Sequence, residues 1–280
     1  MIVTRFAPSP TGQLHTGHAF SAVFAARAAR QLGGRFLLRL EDIDKTRCRR
    51  AFEIGILDDL DWLGLEWETP VRRQSEHFED YQAALERLDG MALTYPCFCT
   101  RKEIAAEIAA SVSAPHGPDG PIYPGTCREL DFEILADRFE RGDAFALRLD
   151  MGKALAMTGP LTLEEKGERR AATPEEFGDI VLARKEMPAS YHLAVTVDDA
   201  IQGVTLVTRG EDLLPAASVH RVLQALLSLP EPRYHHHRLL TGEDGRRLAK
   251  RDGVPSLADV RATGISAADF IAGLGFDPAT

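Results

Sequence analysis

The chain reads as an α/β protein, interrupted by an inserted α+β region and ending in short helical pieces. Three observations predict this. A strand, a loop, a helix and a second strand occupy the first 40 residues, which is a βαβ unit with an expected right-handed crossover. From Tyr95 onward that pattern is broken by clustered cysteines, a Pro/Gly-rich stretch and short alternating runs. The α/β pattern then resumes after about residue 175. The expected organisation is residues 1–94 as the first half of the main domain, 95–175 as the insertion, 176–240 as the second half, and 241–280 as a polar loop with a helical tail.

Met1 to Thr4 is apolar or β-branched and reads as a buried strand. The loop that follows, Arg5 to His18 (RFAPSPTGQLHTGH), leads into a helix over Ala19 to Leu32, where Phe20, Val23, Phe24 and Ala28 share a face. Gly33-Gly34 stops that helix, and Arg35 to Leu40 forms the second strand, with Glu41 and Asp42 at its carboxyl end. Phe52 to Leu63 and His77 to Leu88 are packing helices by their 3- and 4-residue apolar spacing. In the insertion, YPCFCT precedes a helix over Arg101 to Ser111, then the loop APHGPDGPIYPGTC, an amphipathic helix over Asp131 to Arg141, and a strand over Ala144 to Leu149. Leu161 and Leu163 suggest small antiparallel strands. Ile180 to Ala183, Leu193 to Val197 and Val204 to Val207 resume the α/β pattern as strands, followed by a helix starting near Pro215 and a clear helical piece over Ala267 to Leu274.

Hydrophobic content of 44% and charged content of 27% are ordinary for a soluble globular chain. No run of about 18 apolar residues suggests a membrane span, and no secretory pattern opens the sequence, so a cytoplasmic protein without a membrane partner is expected. A net charge of −9 argues against broad coating of nucleic acid, although Arg246, Arg247, Lys250 and Arg251 form a local basic cluster that reads equally as a solvated face.

Four constellations could carry chemistry. His15 to His18 (HTGH) opens a helix, where free N–H groups and the helix dipole favour phosphate, and imidazoles could add hydrogen bonds as charge builds. Capping or surface histidines are the plain alternative. Lys250, in the polar loop GEDGRRLAKRD, suits closure over a polyphosphate. Cys97, Cys99 and Cys127 are one ligand short of a tetrahedral zinc site, and Tyr123, His116 or water could supply it. Cys48 reads as structural or incidental. The pairs Glu41-Asp42, Asp198-Asp199 and Glu211-Asp212, with Tyr191 and Arg209, lie near expected strand ends, where acidic residues more often serve as turns or caps. His235 to His237 looks like a metal tract but sits beside a strand-like run.

The opening loop closely resembles the signature of the glutamyl branch of class I aminoacyl-tRNA synthetases, with HTGH in place of its HIGH element. Arg247 to Arg251 (RLAKR) resembles the KMSKS element, with Arg247 and Ala249 replacing its first lysine and its serine. The likeness runs to about residue 253 and takes in Glu41, Tyr191 and Arg209. It implies a Rossmann-like catalytic domain split by a zinc-containing acceptor-binding insertion. It also implies attack of a glutamate carboxylate on the α-phosphate of ATP, supplied with magnesium, to give glutamyl-adenylate. By that resemblance His15, Gly17, His18 and Lys250 face ATP, with His15, His18 and Lys250 catalytic, and Arg5, Ala7, Ser9, Glu41, Tyr191 and Arg209 hold L-glutamate.

The sequence stops at Thr280, soon after the KMSKS-like loop, where full-length glutamyl enzymes continue into an anticodon-binding region. Cys97, Cys99, Tyr123 and Cys127 match the zinc site of the short paralogues of that family. Those paralogues activate glutamate without tRNA and attach it to the queuosine base in the anticodon loop of tRNA(Asp). This is the expected function, with a monomer as the expected state. A short synthetase charging the tRNA 3′ end, or a non-enzymatic paralogue binding tRNA or protein, are the alternatives.

Overall fold

The structure is a computed structural model, and it describes residues 1–110, 116–118, 120–240 and 255–276. Strand β1 (Val3–Phe6) enters the core directly, and all four of its residues are buried. Arg5, expected in the opening loop, therefore lies on the strand itself. Helix α1 (Thr16–Gln31) follows, and its alanines 19, 22, 25 and 29 are almost fully buried, which lets it lie close on the sheet. After the helix, a Cβ on Gly34 would sit 2.3 Å from the Ile2 carbonyl oxygen, so only glycine can turn the chain there into β2 (Arg35–Leu40). β1 and β2 pair in parallel, which completes the expected βαβ unit.

Next come α2 (Arg50–Trp62), β3 (Glu68–Arg73), parallel to β2, and α3 (Phe78–Gly90). Ile56 and Leu60 of α2 are fully buried, each worth about 1.5–3 kcal/mol of transfer free energy. β4 (Thr94–Cys97), α4 (Arg101–Ala110), the two-residue strands β5 (His116–Gly117) and β6 (Gly120–Pro121), α5 (Phe132–Glu140) and β7 (Ala146–Leu149) form the cysteine-bearing region. α6 (Met151–Thr158), the hairpin β8 (Thr162–Glu165) and β9 (Glu168–Ala171), β10 (Val181–Arg184), α7 (Tyr191–Ile201) and β11 (Leu206–Gly210) follow. The described chain then runs through α8 (Ala216–Leu226), β12 (Arg233–His237), α9 (Leu257–Ala262) and α10 (Ala267–Gly273).

Three element assignments differ from the sequence reading. Leu193 to Val197 is helical, within α7, where Ser190 caps the first turn and Leu193, Ala194 and Val197 join the core. Burial in the tertiary structure overrides the β preference of its valines. β10, expected to resume the α/β pattern, instead closes an antiparallel sheet of order β10-β7-β4. The β8–β9 hairpin is antiparallel as expected, but β8 also pairs with β12, so it extends the sheet β11-β12-β8-β9.

The sheets β1-β2-β3 and β11-β12-β8-β9 meet where the Thr205 N–H donates to the Val3 carbonyl at 3.0 Å. That seam puts the carboxyl ends of β1, β2, β11 and β12 around one crevice, the place where open α/β sheets bind ligands. The tail braces the same crevice. Ser256 bridges His15, the Leu257 N–H donates to the Leu14 carbonyl at 2.8 Å, and Phe276 stacks on Phe20.

Candidate active site

A cavity of about 250 Å³ opens at these strand ends. Arg5, Ala7, His15, Gly17, His18, Glu41, Tyr191 and Arg209 all line it, from six separate elements and loops. Eight of the sequence-expected residues are thus brought together. Ser9 is exposed and does not line the cavity, and Lys250 lies outside the described residues.

The HTGH turn is built as a reciprocal cap. His15 Nδ1 accepts the Gly17 N–H at 3.1 Å, and His18 Nδ1 accepts the His15 N–H at 3.2 Å. Each neutral ring consequently carries its proton on Nε2, and the two ring centroids lie 3.8 Å apart. The result is a pair of N–H donors at a helix N-terminus, which suits phosphate oxygens.

On the β1 side, the Arg5 guanidinium is neutralised by Asp199, with Nε to Oδ1 at 3.0 Å and Nη2 to Oδ2 at 3.3 Å. Fully buried Arg39 also reaches Asp199 at 2.8 Å and Glu41 at 3.3 Å. Burial resists ionisation of Asp199, but the two arginines outweigh it and hold the carboxyl below its ordinary value. Asp198 accepts from Arg72, Gln74 and Tyr81. Burial raises the Glu41 carboxyl against the pull of Arg39 and Arg5. Asp198 and Asp199, read from sequence as turn or cap residues, are therefore the anionic centre of a buried ion-pair network.

On the β11 side, the groups that bind Arg209 among the described residues are neutral. Nε donates to His236 Nε2 at 3.0 Å, and Nη1 donates to the Tyr191 hydroxyl at 3.2 Å and to His220 Nδ1 at 3.4 Å. Nη2 is buried and has no hydrogen-bond partner. His220 was not singled out from sequence, while Asp199 and His236 were weighed only as a turn or cap residue and as part of a histidine tract. Their partners lie 11 to 194 residues away, and no spacing pattern encodes that.

Among the described residues, one group of three or more metal-type ligands comes together: Cys97, Cys99 and Cys127, with their sulfurs within 4.8 Å of one another. The Tyr123 hydroxyl lies 3.6 Å from Cys99 Sγ and accepts the Cys127 N–H at 2.9 Å. Burial pushes the Cys97 thiol up, but hydrogen bonds from Tyr123 and Arg148 and the Arg148 charge bring it below its ordinary value. Three sulfurs and one phenol oxygen at this spacing fit a tetrahedral thiophilic metal. The three histidines of β12 do not gather. Strand alternation sends His236 to Arg209 and Glu165, while His235 and His237 pack against Phe24.

Beside the active-site cavity, sharing Tyr191 with it, is a second cavity of about 550 Å³ lined by Arg101, Arg148, Arg184, Tyr123 and His192. Burial and the neighbouring Arg101 and Arg148 cations lower the Arg184 pKa, the mark of like charges held together.

Comparison with known proteins shows the family to which the fold belongs. The profile of class I tRNA synthetases (E and Q), catalytic domain, matches residues 1–276. A glutamyl-Q tRNA(Asp) synthetase of Rhodobacter capsulatus is 50% identical, over 96% of this chain and 98% of its own length. One from Deinococcus radiodurans is 44% identical, over 94% of this chain and 85% of its own. Among solved structures, a glutamate-tRNA synthetase from Elizabethkingia anophelis superposes with a TM-score of 0.76 at 28% identity, covering 90% of this chain. The chain spans about half of that longer protein, 53% of its length. Matched almost from end to end by the profile and half identical to a full-length relative, the chain belongs to the glutamyl-Q tRNA(Asp) synthetase family, ATP-dependent ligases of the class I aminoacyl-tRNA synthetases.

Proposed function

We propose that the chain activates L-glutamate with ATP, without tRNA, and then transfers it to the queuosine base in the anticodon loop of tRNA(Asp). The observation that carries the glutamate half is Arg209: a buried cation that lines the 250 Å³ cavity and whose hydrogen-bond partners, among the described residues, are neutral groups. A buried charge without a counter-ion is costly, so the site is complete only when an anion enters it, and a side-chain carboxylate matches the guanidinium fork. Glu41 and the Tyr191 hydroxyl face the same space and suit the substrate ammonium. The α-carboxylate oxygen would attack the α-phosphorus as pyrophosphate leaves, with the phosphates at the Nε2–H groups of His15 and His18. In-line displacement depends on positioning and charge stabilisation rather than on covalent help from the protein. Gly17 leaves the helix N-terminus open to the nucleotide. Lys250 would meet charge developing on the phosphates, and Ala7 and Ser9 would border the amino acid.

The arginine-lined cavity supports an RNA acceptor, because its rim at Tyr191 joins the amino-acid pocket. We assign Cys97, Cys99, Tyr123 and Cys127 to one structural zinc ion, which would staple the region between β4 and α5. Native mass spectrometry should show a single zinc, lost on Cys97→Ser. Zinc persisting in that variant would contradict the ligand set.

The decisive experiment is glutamate-dependent ATP–pyrophosphate exchange in the absence of RNA, followed by glutamylation of queuosine-bearing tRNA(Asp) and of tRNA(Glu) side by side. Exchange without RNA and labelling of tRNA(Asp) alone are expected. Labelling of tRNA(Glu) with none of tRNA(Asp) would overturn the acceptor, and the absence of exchange would overturn tRNA-independent activation.

A further inference from the structure

We propose that Glu165 and His236 are positioning residues that aim Arg209 at the substrate carboxylate while leaving its positive charge uncompensated. The inference rests on the glutamate reading above. A guanidinium nitrogen only donates, so the 3.0 Å bond from Arg209 Nε requires His236 Nε2 to be an unprotonated acceptor. The His236 proton is then on Nδ1, and Nδ1 donates to Glu165 Oε2 at 2.6 Å. Glu165 also accepts the His236 backbone N–H at 3.1 Å through Oε1, so both carboxylate oxygens hold the same residue. This pair of bonds fixes the tautomer and the plane of the ring, and with it the acceptor that orients Arg209.

The order of the three groups matters. Glu165 at the position of His236 would form an ion pair with Arg209, as Asp199 does with Arg5, and the pocket would lose its attraction for an anionic side chain. With an imidazole between them, the carboxylate supplies orientation and the arginine keeps its charge for the ligand. A protonated His236 would instead set an N–H against the Arg209 N–H. Burial and the Arg209 and His237 charges oppose that proton and outweigh Glu165, keeping the ring neutral. His220 and the Tyr191 hydroxyl hold Nη1 in the same manner, as neutral acceptors. Tyr234, whose ring lies parallel to that of His236, adds a further uncharged wall. Glu165 comes from the β8–β9 hairpin, and its strand register against Tyr234 of β12 brings it behind the pocket.

The test compares His236→Leu, His236→Gln and Glu165→Gln with wild type in ATP–pyrophosphate exchange, with thermal unfolding as a control for folding. His236→Leu should raise KM for glutamate at least ~10-fold and leave KM for ATP within about twofold. His236→Gln, whose amide oxygen is a neutral acceptor near the Nε2 position, should recover most of that loss. Glu165→Gln frees the tautomer and should fall between them. An unchanged glutamate KM in a folded His236→Leu, or equal rises in KM for glutamate and ATP, would overturn the proposal while wild-type exchange still supports glutamate activation. No exchange by wild type would overturn both.

Discussion

Arg5 and Arg209 line one cavity from neighbouring strands, where Arg5 Nη1 donates to the Thr208 carbonyl at 3.3 Å; both are buried, at 4% and 6% exposure, yet they have partners of opposite kind. The β1 wall is an ion-pair network in which Asp199 satisfies both Arg5 and Arg39. The β11 wall surrounds its arginine with imidazoles and a phenol, and leaves one nitrogen unpartnered. Residue type and burial therefore do not say what a buried cation does. A neutralised one holds strands and helix together, while one held by neutral acceptors keeps its charge for a ligand, the role proposed for Arg209. The strands that carry the two walls, β1 and β11, are in contact, so the ion pairs of the first wall also fix where the second stands.

The largest effect is expected where the first wall is broken. Asp199→Asn leaves two buried arginines without their shared counter-charge and should lower stability by about 3–5 kcal/mol in denaturant unfolding. Arg209→Met should do the reverse. It removes a buried cation that no carboxylate offsets, so stability should hold or rise, while kcat/KM for glutamate exchange should fall ~10²–10³-fold. If Arg209→Met unfolds the protein and Asp199→Asn merely slows exchange, the distinction between the two walls is wrong.

Much of the second wall's chemistry was legible in the sequence, and little of the first. Tyr191 and Arg209 were found through the resemblance to the synthetase signature, while the HTGH turn could also be read from its place at the start of a helix. The βαβ unit, the packing helices and the cysteine-bearing interruption were legible from local pattern. Asp198 and Asp199 were not, because both lie in the last turns of α7 and their arginine partners are 126 or more positions away in sequence. α7 itself was misread as a strand because Leu193 to Val197 is apolar without a polar face. A helix packed on several sides loses the 3.6-residue signal that distinguishes it from a buried strand. Glu165 was hidden by its place in a hairpin that looked like part of the insertion, and only the pairing of β8 with β12 brings it behind Arg209.

The smallest predicted effect separates the walls by pH. Burial lowers the pKa of His220, His235, His236 and His237 below the ordinary 6.5. Between their native values and 6.5 the unfolded chain binds more protons, so stability falls as pH drops through that window. Asp199 is shifted down from an ordinary 3.8, so its contribution is complete above that value and is lost only as pH falls further. Asp59, raised by burial to about 6, and Glu41, also raised by burial, act in the opposite sense and gain stability as they protonate. The four histidines all act in the first sense near neutral pH, and a net loss of stability as pH falls from 7 to 6 is expected. Denaturant unfolding at half-unit steps from pH 8 to 5 measures it, and His220→Gln should remove its share of the slope. An unchanged slope in His220→Gln would mean that His220 takes up its proton as readily in the native state as in the unfolded chain, and that the second wall is not the neutral one described.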